Sequence, residues 1–355
     1  MTANTYSPGS SRFSSFRAKV SVSVLTALAL AGSVRSALAD PMLAFQDVIN
    51  TNDPTFNQEL GINNSGLIAG YFGSGAMGHP NKGYTVVSPY STLANFTNEN
   101  FTGSVQTQVT GLNNIGTTVG FWSNTNNGVG LDSNFGWVNV GGVFTNVNNP
   151  ATATTPPVFN QLLGVNDSNI AVGFYTNAAG NTFGYTYNIA AKTFSANIMD
   201  PNAVGATSTT VAAAIDNAGQ IAGFYTDAHG NTDGFFDNGG VFTTIDAPGA
   251  VDTSLLGLNT EGEAVGFDVD AMGNMHGVIC NVNTLACVQQ DDPNGIGTTT
   301  FNGVNDKGQI VGFYVNGADN TIGLLANPVP EPSSLTLFLS VLTGLGAISL
   351  WRRRA

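Results

Sequence analysis

Gly303-Val304-Asn305-Asp306-Lys307-Gly308-Gln309-Ile310-Val311-Gly312-Phe313 decides the fold, because the chain repeats this phrase six times. The other copies begin at Gly61, Gly111, Gly164, Ala214 and Gly257, with steps of 50, 53, 50, 43 and 46 residues between successive starts. A period in this range marks a repeat architecture, in which no unit buries its apolar face alone. Residues 208–248 show what one unit is. Residues 211–215 lead into Asp216-Asn217-Ala218-Gly219, a hairpin turn in which the glycine supplies positive φ. Residues 220–226, 232–237 and 241–246 read as three further strands separated by tight turns, and Pro248 ends the unit. Four short antiparallel strands per repeat make one blade, so six repeats predict an all-β, six-bladed β-propeller.

The blade count raises a question of closure. Fourth strands are expected near 93–97, 144–148, 194–200, 242–246 and 287–291, one fewer than the repeats. The missing strand has a candidate at residues 45–50, which carry the same Phe and Asp-x-Pro marks, through Phe45, Asp53 and Pro54. Pairing of 45–50 beside 322–325 would close the ring and protect both edges. An open solenoid would leave these segments at opposite ends. Each second strand also carries a Gly followed by an aromatic: Gly70-Tyr71, Gly120-Phe121, Gly173-Phe174, Gly223-Phe224, Gly266-Phe267 and Gly312-Phe313. A glycine inside a strand marks a close approach. The expectation is that facing blades pack over it and that the aromatics fill the core between sheets.

Both ends read as addresses. Arg12, Arg17 and Lys19 precede an apolar run at 20–31, and Ala37-Leu38-Ala39 offers a small-x-small cleavage site, so residues 1–39 are expected to be a secretory signal peptide cut after Ala39. The propeller is then expected over 40–327. At the other end come Val329-Pro330-Glu331-Pro332 within a Pro-rich motif and linker, 328–334, and a C-terminal transmembrane helix with an Arg-rich end, 335–355. The charge-free stretch 335–351 would span about 25 Å as a helix, enough for a bilayer with snorkelling arginines.

This tail resembles the PEP-CTERM sorting signal of Gram-negative bacteria. The resemblance implies passage through the Sec translocon, membrane attachment through the C-terminal helix before processing by an inner-membrane exosortase, and delivery to the cell surface or the biofilm matrix. The alternative is a plain C-terminal membrane anchor. The repeats in turn resemble the extracellular HAF repeats, on the strength of the turn phrase; the His-Ala-Phe triplet survives only as His276, followed by Gly277-Val278. That resemblance implies a surface-exported β-rich protein and no settled activity.

Composition narrows the partners. Residues 40–327 hold three lysines against 22 acids, a net charge of −19, compared with −13 for the whole chain. Such a balance opposes phosphate binding and argues against nucleic acid as a partner. Cys280 and Cys287 flank a hairpin loop, and export to an oxidising compartment favours a disulfide between them over two free core thiols.

No cofactor is indicated apart from Ca²⁺. Loops of the form Asp270-Ala271-Met272-Gly273-Asn274 present oxygens, and Asp268 and Asp270 are the calcium candidates. Asx-turn chemistry is the simpler reading, since each loop lacks a full ligand set. The loops joining second to third strands share a face with the blade connections, and that face is expected to collect acids such as Glu99, Asp200, Asp246, Asp268, Asp291 and Asp292. No catalytic residue is assigned. No Ser or Cys lies in a nucleophile motif, and His79, His229 and His276 fall in or beside turns. The sequence therefore favours an exported cell-surface or matrix protein that binds polysaccharide or another surface partner without catalysis; the alternative is a polysaccharide hydrolase or lyase acting on matrix exopolysaccharide.

Overall fold

A computed structural model describes residues 42–128, 130–205 and 207–329. Residues 1–39, with Ala37 and Ala39, lie outside the described residues, as do Pro330, Glu331, Pro332 and the tail 335–355. Among the described residues no helix is long and apolar enough to cross a membrane.

Six four-stranded antiparallel sheets are arranged as the blades of a propeller. Their inner strands are Asn57–Ile62, Gln106–Leu112, Asn160–Val165, Thr210–Ile215, Asp252–Leu258 and Thr299–Val304, and we number the blades one to six in that order. Blade six is completed from the other end of the chain: Leu43–Val48 pairs antiparallel with Thr321–Pro328, with Phe45 opposite Ala326 and Val48 opposite Gly323. The expected closure is therefore present, two residues earlier than the segment 45–50. The ring is also tied across that seam, where Asn302 donates its amide to the Glu59 carbonyl at 2.9 Å.

Several outer strands are shorter than expected. Leu93–Asn95 forms a 3-10 turn, leaving only Phe96–Asn98 as strand, and blade three keeps just Thr193–Phe194. The outermost strand packs on one side only, so apolar alternation there constrains it weakly, and short edge strands limit unwanted pairing. The disulfide expected in blade five is formed between Cys280 and Cys287, which face each other across the third and fourth strands.

Every inner strand carries a β-bulge, between Glu59/Gly61, Val109/Gly111, Leu162/Gly164, Ala212/Ala214, Leu255/Gly257 and Phe301/Gly303. The extra residues are Leu60, Thr110, Leu163, Ala213, Leu256 and Asn302, and these line the axial cavity. The bulge corrects the reading of the second-strand glycine. A Cβ on Gly120 would lie 2.0 Å from the Gln108 carbonyl oxygen, and one on Gly223 would lie 2.0 Å from that of Val211. The approach comes from the bulged inner strand of the same blade. The neighbouring blade closes instead over the third-strand glycines: a Cβ on Gly184 would meet Ala212, and one on Gly277 would meet Phe301.

The aromatics divide accordingly. Third-strand Tyr84, Trp137, Tyr185 and Phe235 are fully buried. Second-strand Phe121, Phe174, Phe224, Phe267 and Phe313 are only partly buried and belong to none of the core clusters between sheets. They stand opposite Gln108, Gln161, Val211, Ser254 and Thr300 of the inner strands. The core between sheets is therefore filled by the third-strand rings, and the core expectation fails for these five.

Candidate functional site

The second-to-third loops are not equal. Blades three to six turn in five residues, such as 177–181 and 227–231. Blade one uses 73–81 and blade two uses 124–134. Insertions confined to a few repeats map to loops on one face of such an array. Here the two long loops are locked together: Asn126 donates its amide to the Gly75 carbonyl at 3.0 Å, and the Gly78 N–H donates to Asn126 Oδ1 at 2.8 Å.

Beside these loops lies a cavity of about 570 Å³ spanning blades one to three. Phe56, Tyr71, Phe121 and Phe159 supply its aromatic surface, and Gln58, Gln108 and Gln161 supply amides. The three glutamines occupy one register position on consecutive inner strands, opposite Tyr71, Phe121 and Phe174. Each is fixed by one end of its amide. Gln58 Oε1 accepts from the Tyr71 hydroxyl at 2.6 Å, Gln108 Nε2 donates to Asn81 Oδ1 at 2.9 Å, and Gln161 Nε2 donates to Asn134 Oδ1 at 2.7 Å. The opposite ends, one donor and two acceptors, make no hydrogen bond among the described residues. Oriented amides beside aromatic faces suit a ligand with many hydroxyl groups and flat apolar faces.

Asp132 is the one charged residue among the described residues lining this cavity. Burial opposes its ionisation, but hydrogen bonds from Thr125, Asn127 and Gln106 outweigh burial and hold the carboxyl below its ordinary range. It is an occupied acceptor that fixes the loop. Burial pushes the Tyr71 phenol well above its ordinary value, and its proton is committed to Gln58. Neither group is set up to move a proton at neutral pH.

Toward the axis the cavity shares Gln108, Phe121 and Gln161 with a second space of about 190 Å³. Its floor is the ring of bulge residues, in which Leu60, Leu163 and Leu256 alternate with Thr110, Ala213 and Asn302. Thr110 turns its hydroxyl to the Leu162 carbonyl at 2.7 Å, and Asn302 gives its amide to Glu59. The Thr110 hydroxyl and one amide N–H of Asn302 are thus spent on neighbouring blades, and the pit is dominated by apolar groups.

The acids expected on this face are placed differently from one another. Asp200, Asp268 and Asp292 are buried, each with one carboxylate oxygen lacking a hydrogen-bond partner among the described residues. Glu99 is not on the rim: it is buried between blades one and two, where Thr118 and Asn139 donate to it. Of the calcium candidates, Asp268 accepts from Gln289 Nε2 at 2.6 Å, and burial raises its carboxyl above the ordinary range. Asp270 accepts from the N–H groups of Met272 and Asn274 and from the Asn274 side chain, which pull its carboxyl down to about 2. Its oxygens thus serve the turn. His276 bridges Asp291 at 2.7 Å and Asp270 at 3.6 Å. Among the described residues, no group of three or more His, Cys, Asp or Glu side chains is placed to hold a metal ion.

The glutamine row is not legible in the repeated phrase, which carries only what recurs. The signal was what does not: Gln58, Gln108 and Gln161 give way to Val211, Ser254 and Thr300 in the later blades.

No family model and no curated protein matches the chain. Among solved structures, a polysaccharide lyase described as an ulvan lyase is similar over 77% of this chain and 78% of its own, at 11% identity and a TM-score of 0.39. A variant of the Aleuria aurantia lectin, solved with a fucosyl disaccharide, is similar over 79% and 99% at 8% identity and a TM-score of 0.45. The β-propeller domain of the Trilobed protease from Pyrococcus furiosus is similar over 76% and 95%, at 9% identity and a TM-score of 0.44.

Proposed function

We propose that this chain is an exported cell-surface or matrix propeller that binds polysaccharide in the cavity of blades one to three, without cleaving it. The observation that carries this reading is the row of Gln58, Gln108 and Gln161. Each is pinned at one amide end, and each lines a cavity walled by Phe56, Phe121 and Phe159. Sugar rings stack on aromatic faces while their hydroxyls exchange hydrogen bonds with amides, and fixed amides reduce the ordering cost of binding. Hydrolysis of a glycosidic bond ordinarily needs two carboxyl groups flanking it. Among the described residues this cavity offers only Asp132, already occupied by donors. The secretory N-terminus and the Val329-Pro330-Glu331-Pro332 tail support export and sorting as a PEP-CTERM protein.

The test uses the full chain expressed in a Gram-negative host carrying an exosortase. Intact mass of the exported product reports both trimming sites; cuts after Ala39 and at the proline-rich tail are expected. That product is then incubated with the host's exopolysaccharide. Retention of intact polymer supports the binding role. Release of oligosaccharides would support a hydrolase or lyase instead, and failure to retain the polymer would remove the glycan reading.

A further inference from the structure

The binding cavity does not end at the glutamine row. Toward the axis it adjoins the pit floored by Leu60, Leu163 and Leu256, and the two spaces share Gln108, Phe121 and Gln161. Blade four makes room for the pit: its bulge residue is Ala213, where blades three and five carry Leu163 and Leu256. A ligand held by the glutamines would therefore present one of its substituents to an apolar recess. A hydroxyl placed there would lose water and find few partners, whereas a methyl group would lose water at a gain. Charge is disfavoured in the same place, because the described residues lining the pit include no charged side chain of either sign to offset lost hydration, and the −19 carried by residues 40–327 opposes an anion in particular.

We infer that the site selects an uncharged glycan bearing an apolar substituent, a deoxyhexose methyl or an O-acetyl group, with that substituent seated in the axial pit. The inference rests on the glycan-binding reading above and adds the class of sugar. Gln58, Gln108 and Gln161 take the ring hydroxyls, Phe121 borders both compartments, and the alternating leucines meet the substituent.

Calorimetry on the exported full chain tests this with matched sugars. The probes are methyl glycosides of L-rhamnose and L-fucose, their hydroxylated parents L-mannose and L-galactose, and the corresponding uronates. The deoxy sugars are expected to bind roughly tenfold or more tightly than their parents, which differ by one hydroxyl that an apolar pocket leaves without a partner, and the uronates weakest of all. Acetylated and chemically deacetylated batches of the host polymer form a second pair. Ala213→Leu, which fills the pit, is expected to abolish the preference, read as the ratio of deoxy-sugar to parent-sugar affinity. Leu163→Ala, which widens the pit, serves as a second variant, and melting curves confirm that each variant folds. Equal affinity within every pair, or a preference unchanged in Ala213→Leu, overturns the apolar-substituent assignment while glycan binding stands. Tighter binding of the uronates overturns the uncharged class. Binding of no sugar and no polymer overturns both this inference and the function it rests on.

Discussion

Asn166 donates its side-chain amide to the Asp216 carbonyl in the next blade at 2.9 Å, and Asp216 cannot repeat the gesture toward Asn259. The same bond runs from Asn63 to Asn113, from Asn113 to Asn166, from Asn259 to Asn305 and from Asn305 back to Asn63. A carboxylate has no N–H to give, so the belt around the axis breaks between blades four and five. A second belt breaks at the same seam. Backbone N–H groups of Asn64, Asn114, Asp167, Thr260 and Asp306 each bond the next blade's side chain, while no such bond joins Asn217 to Thr260 among the described residues.

Asp216→Asn supplies the missing donor. It is expected to stabilise the propeller by about 1 kcal/mol at neutral pH, the usual net value of one hydrogen bond. Urea denaturation of the two proteins measures it, and an unchanged or lower midpoint would show that this seam does not limit stability.

Glu59 sets a pH dependence at the closing seam. It is buried where the corresponding inner-strand residues are Val109, Leu162, Ala212, Leu255 and Phe301, and it accepts from the Tyr84 hydroxyl at 2.5 Å. Burial pushes its carboxyl from 4.5 to about 8, against the opposing effect of the Tyr84 bond. The folded state thus holds a proton that the unfolded state releases above about 4.5. Stability from this group is complete below that value and is lost progressively as pH rises toward about 8. Asp246, raised to about 6 by burial and by Asp233, acts in the same direction. Melting temperature should fall from pH 5 to pH 8, and Glu59→Gln, which mimics the neutral acid, should flatten the slope. An identical slope in the variant would mean that Glu59 is not the group responsible.

The groove makes a comparison within one molecule. Phe121 lines the cavity, while Phe224 holds the same register position in blade four, opposite Val211 in place of a glutamine. Phe121→Ala and Gln108→Ala should each weaken retention of polysaccharide about tenfold, in line with 1–2 kcal/mol for a lost aromatic face or polar contact. Phe224→Ala should leave retention unchanged. Equal losses from Phe121→Ala and Phe224→Ala in an affinity titration would place the ligand elsewhere.

Cys280 and Cys287 close a loop with a sequence separation of 7. Replacing both by alanine should cost roughly 2–3 kcal/mol, the chain-entropy value for so short a loop. Glycan binding should persist, because the disulfide joins the third and fourth strands of blade five, whereas that blade borders the site only through Leu256 of its inner strand. Chemical denaturation and retention assays on the same variant separate these two effects.

The sequence by itself determined the blades, their number, the closing strand and the disulfide. All four are local or periodic signals: a turn glycine such as Gly219, a two-residue alternation, a spare strand at one end and two cysteines flanking a hairpin. The site was only partly legible. The unequal loops and the run Gln58, Gln108, Gln161 were visible as letters, but their meaning depends on which way each side chain faces. That direction is set by a bulge in every inner strand, and a single extra residue reverses the alternation on which a strand is read. Tertiary structure decided that Phe121 faces a cavity, that Leu60, Leu163 and Leu256 meet at the axis, and that Glu99 is buried between two blades. The physical reason is convergence: residues about fifty positions apart become neighbours only when the ring closes, and no local pattern records which of them will meet.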